Sequence, residues 1–294
     1  MEGEVTMKYI MSLILMFALG NKLFGSTPEN KIIVLISPPR SLSVAFLRMM
    51  QARGDFVIFH EPTQSVYNRQ HYEDFSKGWF REDSPRTFAE VKNRILEQAQ
   101  KAPVFVKEMS FALREFLIKD DFIKKQNVYF VFLIRNPHSV VISFYNKFRD
   151  KSEDFKYWIG YQAAYELFEE IQMKAFNAPY LMFSEELAED PQKVIKHFCN
   201  YVDIPFKEEA LAWQDLGSNF IGVDEWHESK EKELVHHWHG EAIKSTGFGK
   251  LAHYEIDKNN QPTFSEIQNI DHCEMCREAF YHNLKYYQLF LEKK

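Results

Sequence analysis

Five consecutive apolar residues, Ile32 to Ile36, run into Ser37-Pro38-Pro39-Arg40 and then into a helical pattern, Ser41 to Met50. Few architectures accept that order. A β-branched apolar run with no polar alternation reads as a strand covered on both faces, which is the environment of a parallel sheet between helices. The two prolines end the strand, because neither donates to a sheet ladder and both fix φ. Ser41 or Ser43 is expected to cap the following helix, with Ala45, Phe46, Met49 and Met50 along one face. A buried strand, a tight turn and a helix N-terminus together form an anion site, since amides and the positive end of the helix dipole converge there. Arg40 adds a fixed charge, and Ser41 and Ser43 add hydroxyls. No GxxxxGK[ST] pattern occurs, so the loop lacks the lysine and glycines that wrap a triphosphate.

The same unit recurs down the chain. Asp55 to Phe59 is a second apolar run, leading into His60-Glu61-Pro62. In an open parallel sheet the ligand crevice lies at the carboxyl ends of the strands, which puts His60 and Glu61 beside the anion loop as candidate bases. Asn68 to Pro85 has no clean period and reads as a lid or substrate-side insertion. Thr87 to Gln100 predicts an amphipathic helix with Phe88, Val91, Ile95 and Ala99 on its stripe and Glu90 at a capping-box position. Pro103 to Val106 predicts a third strand, with Lys107 at its carboxyl end as a candidate charge stabiliser or half of a solvated pair with Glu108.

Val128 to Ile134 is the strongest strand signal; it ends in Arg135-Asn136-Pro137, and Pro137 suits the first turn of a helix through Phe148. Ser143 lies about two turns further on, so its hydroxyl is expected beside the Arg135 guanidinium as a second anion site. One long helix is expected over Ser152 to Phe176, then a strand over Pro179 to Phe183 and a helix over Gln192 to Val202. This alternation predicts an α/β protein, three layers α/β/α around a mainly parallel central sheet.

Composition narrows the partners. The 294 residues carry a formal net charge of −6, which argues against a nucleic-acid binder. Residues 1–30 stand apart from a domain over 31–294. Lys8 precedes an apolar run over 9–20, short of the roughly 20 residues of a membrane span. That segment reads as a signal peptide, a short anchor making membrane contact, or a packed helix. Cys199, Cys273 and Cys276 give no disulfide framework. His236, His237 and His239 read as a surface helix, and no metal is expected. Cys273 to Leu291 predicts a terminal helix with Phe280, Leu284, Tyr287 and Leu291 inward.

With both anion sites in view, the chain resembles the sulfotransferases that use 3′-phosphoadenosine-5′-phosphosulfate (PAPS). Ser37-Pro38-Pro39-Arg40-Ser41-Leu42-Ser43-Val44 is similar to the family's 5′-phosphosulfate loop, and Ile134 to Ser143 to its 3′-phosphate motif. Phe183-Ser184-Glu185-Glu186-Leu187 with Asp190-Pro191 is similar to a third stretch, and Ser245 to Lys250 more loosely to a late cofactor loop. The resemblance implies a P-loop NTPase-like fold and in-line sulfuryl transfer from PAPS, without a metal, to a hydroxyl or amine. The acceptor is a small molecule, glycan, lipid or peptide. It implies that Arg40 and the amides of Ser41, Leu42, Ser43 and Val44 hold the 5′-phosphosulfate, and that Arg135 and Ser143, with Lys250 nearby, hold the 3′-phosphate. Glu61 is then the base, His60 the runner-up, and Arg40 and Lys107 neutralise the leaving group. Met109 stands where cytosolic members carry a catalytic histidine. Two other readings share the fold: a non-catalytic nucleotide-binding or interaction protein, and a small-molecule kinase. Cofactor supply points to the cytoplasm and the N-terminal segment to export or membrane association.

Overall fold

The computed structural model describes residues 29–72, 84–149, 152–214, 231–252 and 262–294, with backbone only for 231–236. The segment over 9–20 and most of the lid stretch lie outside them. The elements in chain order are β1 (Ile32–Ser37), α1 (Ser43–Arg53), β2 (Val57–His60), α2 (Gln64–His71), α3 (Phe88–Ala99), β3 (Val104–Met109), α4 (Ser110–Leu117), β4 (Val128–Ile134), α5 (Pro137–Phe148), α6 (Phe155–Trp158), α7 (Tyr161–Lys174), β5 (Tyr180–Phe183), α8 (Ser184–Glu189), α9 (Pro191–Tyr201), α10 (Glu231–Lys244) and α11 (Ile270–Leu291). Among the described residues no helix is long and apolar enough to cross a membrane.

The five strands lie in the order β2-β3-β1-β4-β5, and every pairing is parallel. Strand pleating sends alternate residues to opposite faces, which divides the core in two. Ile32, Val34, Ile36, Phe130 and Phe132 pack against α3, α5, α7 and α11; Ile33, Leu35, Phe105, Val131 and Leu133 pack against α1 and α9. From Ile32 to Ile36 strand β1 is therefore apolar and buried at every position, as its sequence predicts, whereas β3 carries the buried charged residues Lys107 and Glu108. The connection after β1 leads towards β2 and the one after β4 towards β5, so these adjacent strands diverge at their carboxyl ends. Such a switch point is where open α/β sheets hold ligands.

Local signals mostly hold. Thr87 caps α3, its hydroxyl accepting from the Glu90 amide at 3.3 Å, while the Glu90 carboxylate accepts from the Arg86 amide at 2.7 Å. Asn136 caps α5, with Pro137 in its first turn. Three expectations fail. Neither serine caps α1: its N-cap is Leu42, in the left-handed region and without a side-chain bond. Leu291 is 43 % exposed at the end of α11. The predicted long helix is broken at Gly160, which adopts φ 78 and sits so close to α4 that an added Cβ would lie 2.6 Å from Ser110 Oγ. Asn283 of α11 secures the break, accepting from the Tyr161 amide at 3.2 Å and donating to the Lys156 carbonyl at 2.9 Å.

Candidate active site

The loop after β1 is held in a strained path. Arg40 and Leu42 both take left-handed φ values, 59 and 61, a conformation that costs a side-chain-bearing residue on the order of 1 kcal/mol. Contacts from three directions maintain it. Ser184 donates to the Ser41 carbonyl at 2.9 Å, and Arg135 Nη1 donates to the Arg40 carbonyl at 2.8 Å. The Tyr161 hydroxyl donates to the Arg135 carbonyl. The first amides of α1 have no intrahelical carbonyl within reach, and they open towards the gap between β1 and β4.

Arg40 and Arg135 thus lie on either side of the switch point, as the two anion motifs predict. Ser143 is placed differently. Its hydroxyl accepts from Arg40 Nε at 2.9 Å, so it serves the arginine of the first loop rather than Arg135. The remaining Arg40 donors reach α10, with Nη1 on the Trp238 carbonyl at 2.6 Å and Nη2 3.4 Å from Glu241.

A second cluster forms at the ends of β2 and β3. Lys107 lies within β3, opposite Leu35 and His60, and is 1 % exposed. It is neither at the strand terminus nor part of a solvated pair. Its ammonium is ion-paired with Glu61 Oε1 and lies 3.3 Å from Met109 Sδ. Glu61 has φ 53, and its amide donates to the Lys107 carbonyl at 2.6 Å. His60 Nε2 is 3.4 Å from the same carboxylate oxygen. Burial would raise the Glu61 carboxyl, but the Lys107 ammonium first, and contacts to the His60 and His239 rings after it, outweigh burial and hold it well below the usual range. Glu61 is therefore ionised at neutral pH.

Glu108 points to the opposite face of β3. It is buried on the wall of a small cavity with Val34, Val91, Leu113 and Phe122. The Thr63 amide donates to Oε1 at 3.1 Å and the Thr63 hydroxyl to Oε2 at 2.6 Å, fixing the turn that carries Glu61. Burial, aided by the Glu61 charge, pushes the Glu108 carboxyl to about 8 against the Thr63 bonds and Lys107. Its ordinary value is 4.5, so the folded chain holds more protons than the unfolded one between these limits. Stability should accordingly fall as pH rises through that window, by up to about 1.4 kcal/mol per unit. Glu108→Gln carries no charge, keeps its oxygen on the Thr63 amide and turns its Nε2 to donate to the Thr63 hydroxyl, and it should flatten this slope. Urea midpoints near about pH 5, 7 and 9 measure it, and parallel profiles for the two proteins would refute this origin of the slope.

His239 is the site residue that sequence reasoning missed. It is packed against His60, ring centroids 5.1 Å apart, beside Glu61, and is not on a purely solvated helix face. Burial first, then His60, Lys107 and Arg40, push its imidazole well below the ordinary value. Its position depends on Arg48, a buried arginine of α1 whose Nη1 donates to the Ala242 and Ile243 carbonyls at 3.0 and 2.8 Å. These carbonyls end α10, where helix acceptors lack intrahelical donors. The 245–250 segment packs Phe248 onto Phe46 and Trp213, at 6.4 and 5.3 Å between centroids, and leaves Lys250 exposed.

Residues 31–259 match the family described as "Sulfotransferase domain". The chain belongs to that family. The sulfotransferase domain is 23% identical over 255 residues to "Branched-chain-amino-acid aminotransferase-like protein 2" of Arabidopsis thaliana, covering 81% of this chain and 41% of that protein. It thus spans less than half the length of this relative. Among solved structures, "Sulfotransferase Domain from the Curacin Biosynthetic Pathway" is similar at 14% identity and TM-score 0.45, over 85% of this chain and 97% of that one. A mouse structure, "sulfotransferase SULT7A1 complexed with PAP", is similar at 12% identity and TM-score 0.39, over 61% of each chain.

Proposed function

We propose that this sulfotransferase domain transfers a sulfuryl group from PAPS to a hydroxyl or amine of an acceptor. The observation that carries the reading is the pair of arginines at the β1/β4 switch point, where Arg135 donates to the backbone of the Arg40 loop. The Ser37 hydroxyl, at the end of β1, is fully buried with no hydrogen-bond partner among the described residues, as suits a loop built around a polar ligand. PAPS supplies the activated sulfuryl group and leaves as adenosine 3′,5′-bisphosphate.

In this reading Arg40 and the amides of Ser41, Leu42, Ser43 and Val44 bind the 5′-phosphosulfate, Arg135 and Ser143 the 3′-phosphate, and Lys250 closes from the late loop. The acceptor oxygen or nitrogen attacks sulfur as the bond from sulfur to the bridging phosphate oxygen breaks. Arg40 and Lys107 neutralise the charge that grows on that oxygen. Glu61 takes the acceptor proton, with His60 the alternative. As Lys107 turns towards the phosphosulfate, the carboxylate loses its counter-charge and becomes a better base. The acceptor belongs to the small molecules, glycans, lipids or peptides.

Calorimetric titration with adenosine 3′,5′-bisphosphate tests the donor directly. The expected result is a dissociation constant of the order of micromolar, about −8 kcal/mol, with no comparable binding of ATP with Mg²⁺. A folded protein that ignores the bisphosphate would remove the PAPS assignment. Binding without transfer to any hydroxyl or amine across an acceptor panel would favour a nucleotide-binding member instead, in which the Lys107–Glu61 pair is purely structural.

A further inference from the structure

His60, Glu61 and His239 offer one ligand atom each, and these atoms all lie within 4.8 Å of one another. We propose that they form a binding site for a divalent transition-metal ion, with zinc as its representative occupant. This inference goes beyond sulfuryl transfer and does not depend on the identity of the donor.

The donor set fits such an ion. Two imidazole nitrogens and a carboxylate oxygen are ordinary zinc, nickel or copper ligands, and they disfavour magnesium and calcium, which prefer all-oxygen shells. The ligands come from separate parts of the chain, the end of β2 and the middle of α10, so the site exists only in the folded protein. They are already close, with His60 Nε2 3.4 Å from Glu61 Oε1 and the imidazole rings 5.1 Å apart. Two neutral imidazoles and one carboxylate leave the occupied site with a single net positive charge.

Lys107 sets the affinity. Its ammonium is on Glu61 Oε1, so an incoming ion must share the carboxylate or displace the ammonium. A dissociation constant near micromolar is therefore expected, weaker than that of a four-ligand structural site. An ion bound there ties α10 to the end of β2 and takes the Glu61 carboxylate out of proton transfer.

The test uses the full chain and zinc chloride, with binding read by competition against a chromophoric chelator. One equivalent should bind, and His239→Ala and His60→Gln should each weaken it at least tenfold. His237→Ala removes a neighbouring imidazole whose Nε2 lies 2.8 Å from the Lys147 carbonyl, and should leave binding unchanged. Cobalt substitution gives an independent readout. A visible band that disappears in His239→Ala, without sulfur-to-cobalt charge transfer, is expected. The proposal is overturned if folded His239→Ala, verified by circular dichroism, binds zinc as tightly as the parent. It is equally overturned if binding follows Cys273→Ser or Cys276→Ser, or if magnesium competes on equal terms.

Discussion

Lys107→Met should lower unfolding stability by about 3 kcal/mol, the low end of what is lost when one partner of a buried ion pair is removed. The ammonium is 2 % exposed and its carboxylate partner 17 % exposed, so deleting Lys107 leaves Glu61 ionised in a site with little water. The carboxylate keeps some exposure to water, which offsets part of the loss and is why the low end is expected. A folded Lys107→Met protein should recover stability on mild acidification, as Glu61 takes up a proton and ceases to be an uncompensated charge. Adding Glu61→Gln should restore much of the loss, because the pair is then replaced by two neutral groups. Urea unfolding of both single variants and the double variant, at constant m, gives the coupling energy directly. A coupling below about 0.5 kcal/mol would mean that the pair contributes no more than an exposed salt bridge.

Arg135→Ala should weaken adenosine 3′,5′-bisphosphate binding by about a hundredfold, equivalent to roughly 2.7 kcal/mol for charge-assisted bonds to a phosphate. Two contributions combine. The guanidinium is a direct phosphate ligand in the proposed site, and it also fixes the Arg40 carbonyl at 2.8 Å. Arg135→Lys separates them, since a lysine restores charge but lacks the planar fork that spans a phosphate and a carbonyl. Calorimetry on the three proteins should give the order wild type, Lys, Ala. Equal affinities for wild type and Arg135→Ala would displace Arg135 from the site.

The sheet was legible because burial on two faces leaves a continuous apolar run that nothing else produces. The β4 limits, Val128 to Ile134, and the α5 limits, Pro137 to Phe148, coincide with what Arg135 and Pro137 announce in the sequence. The loops after β1 and β4 were legible for a related reason, as each couples a strand end to a charged or hydroxyl side chain. What escaped depends on distant partners. The break at Gly160 is hidden by apolar residues that continue on both sides, and its cause is close contact with α4 and Asn283. His239 has no local signal at all; contacts from Arg48 and Arg40 to α10 bring it to His60. Ser143 lies on α5 as expected, and its hydroxyl accepts from Arg40, a partner that spacing along the helix does not report.

Arg48 grips α10 through the main-chain oxygens of Ala242 and Ile243, and Arg40 adds a third such contact at Trp238. A carbonyl is the same whatever residue bears it. Substitutions at the outward positions of α10 therefore leave these three main-chain bonds in place while changing the surface beside His60. Diversification and architecture are uncoupled there, and the freedom is greatest where the helix overhangs the reactive edge of the sheet.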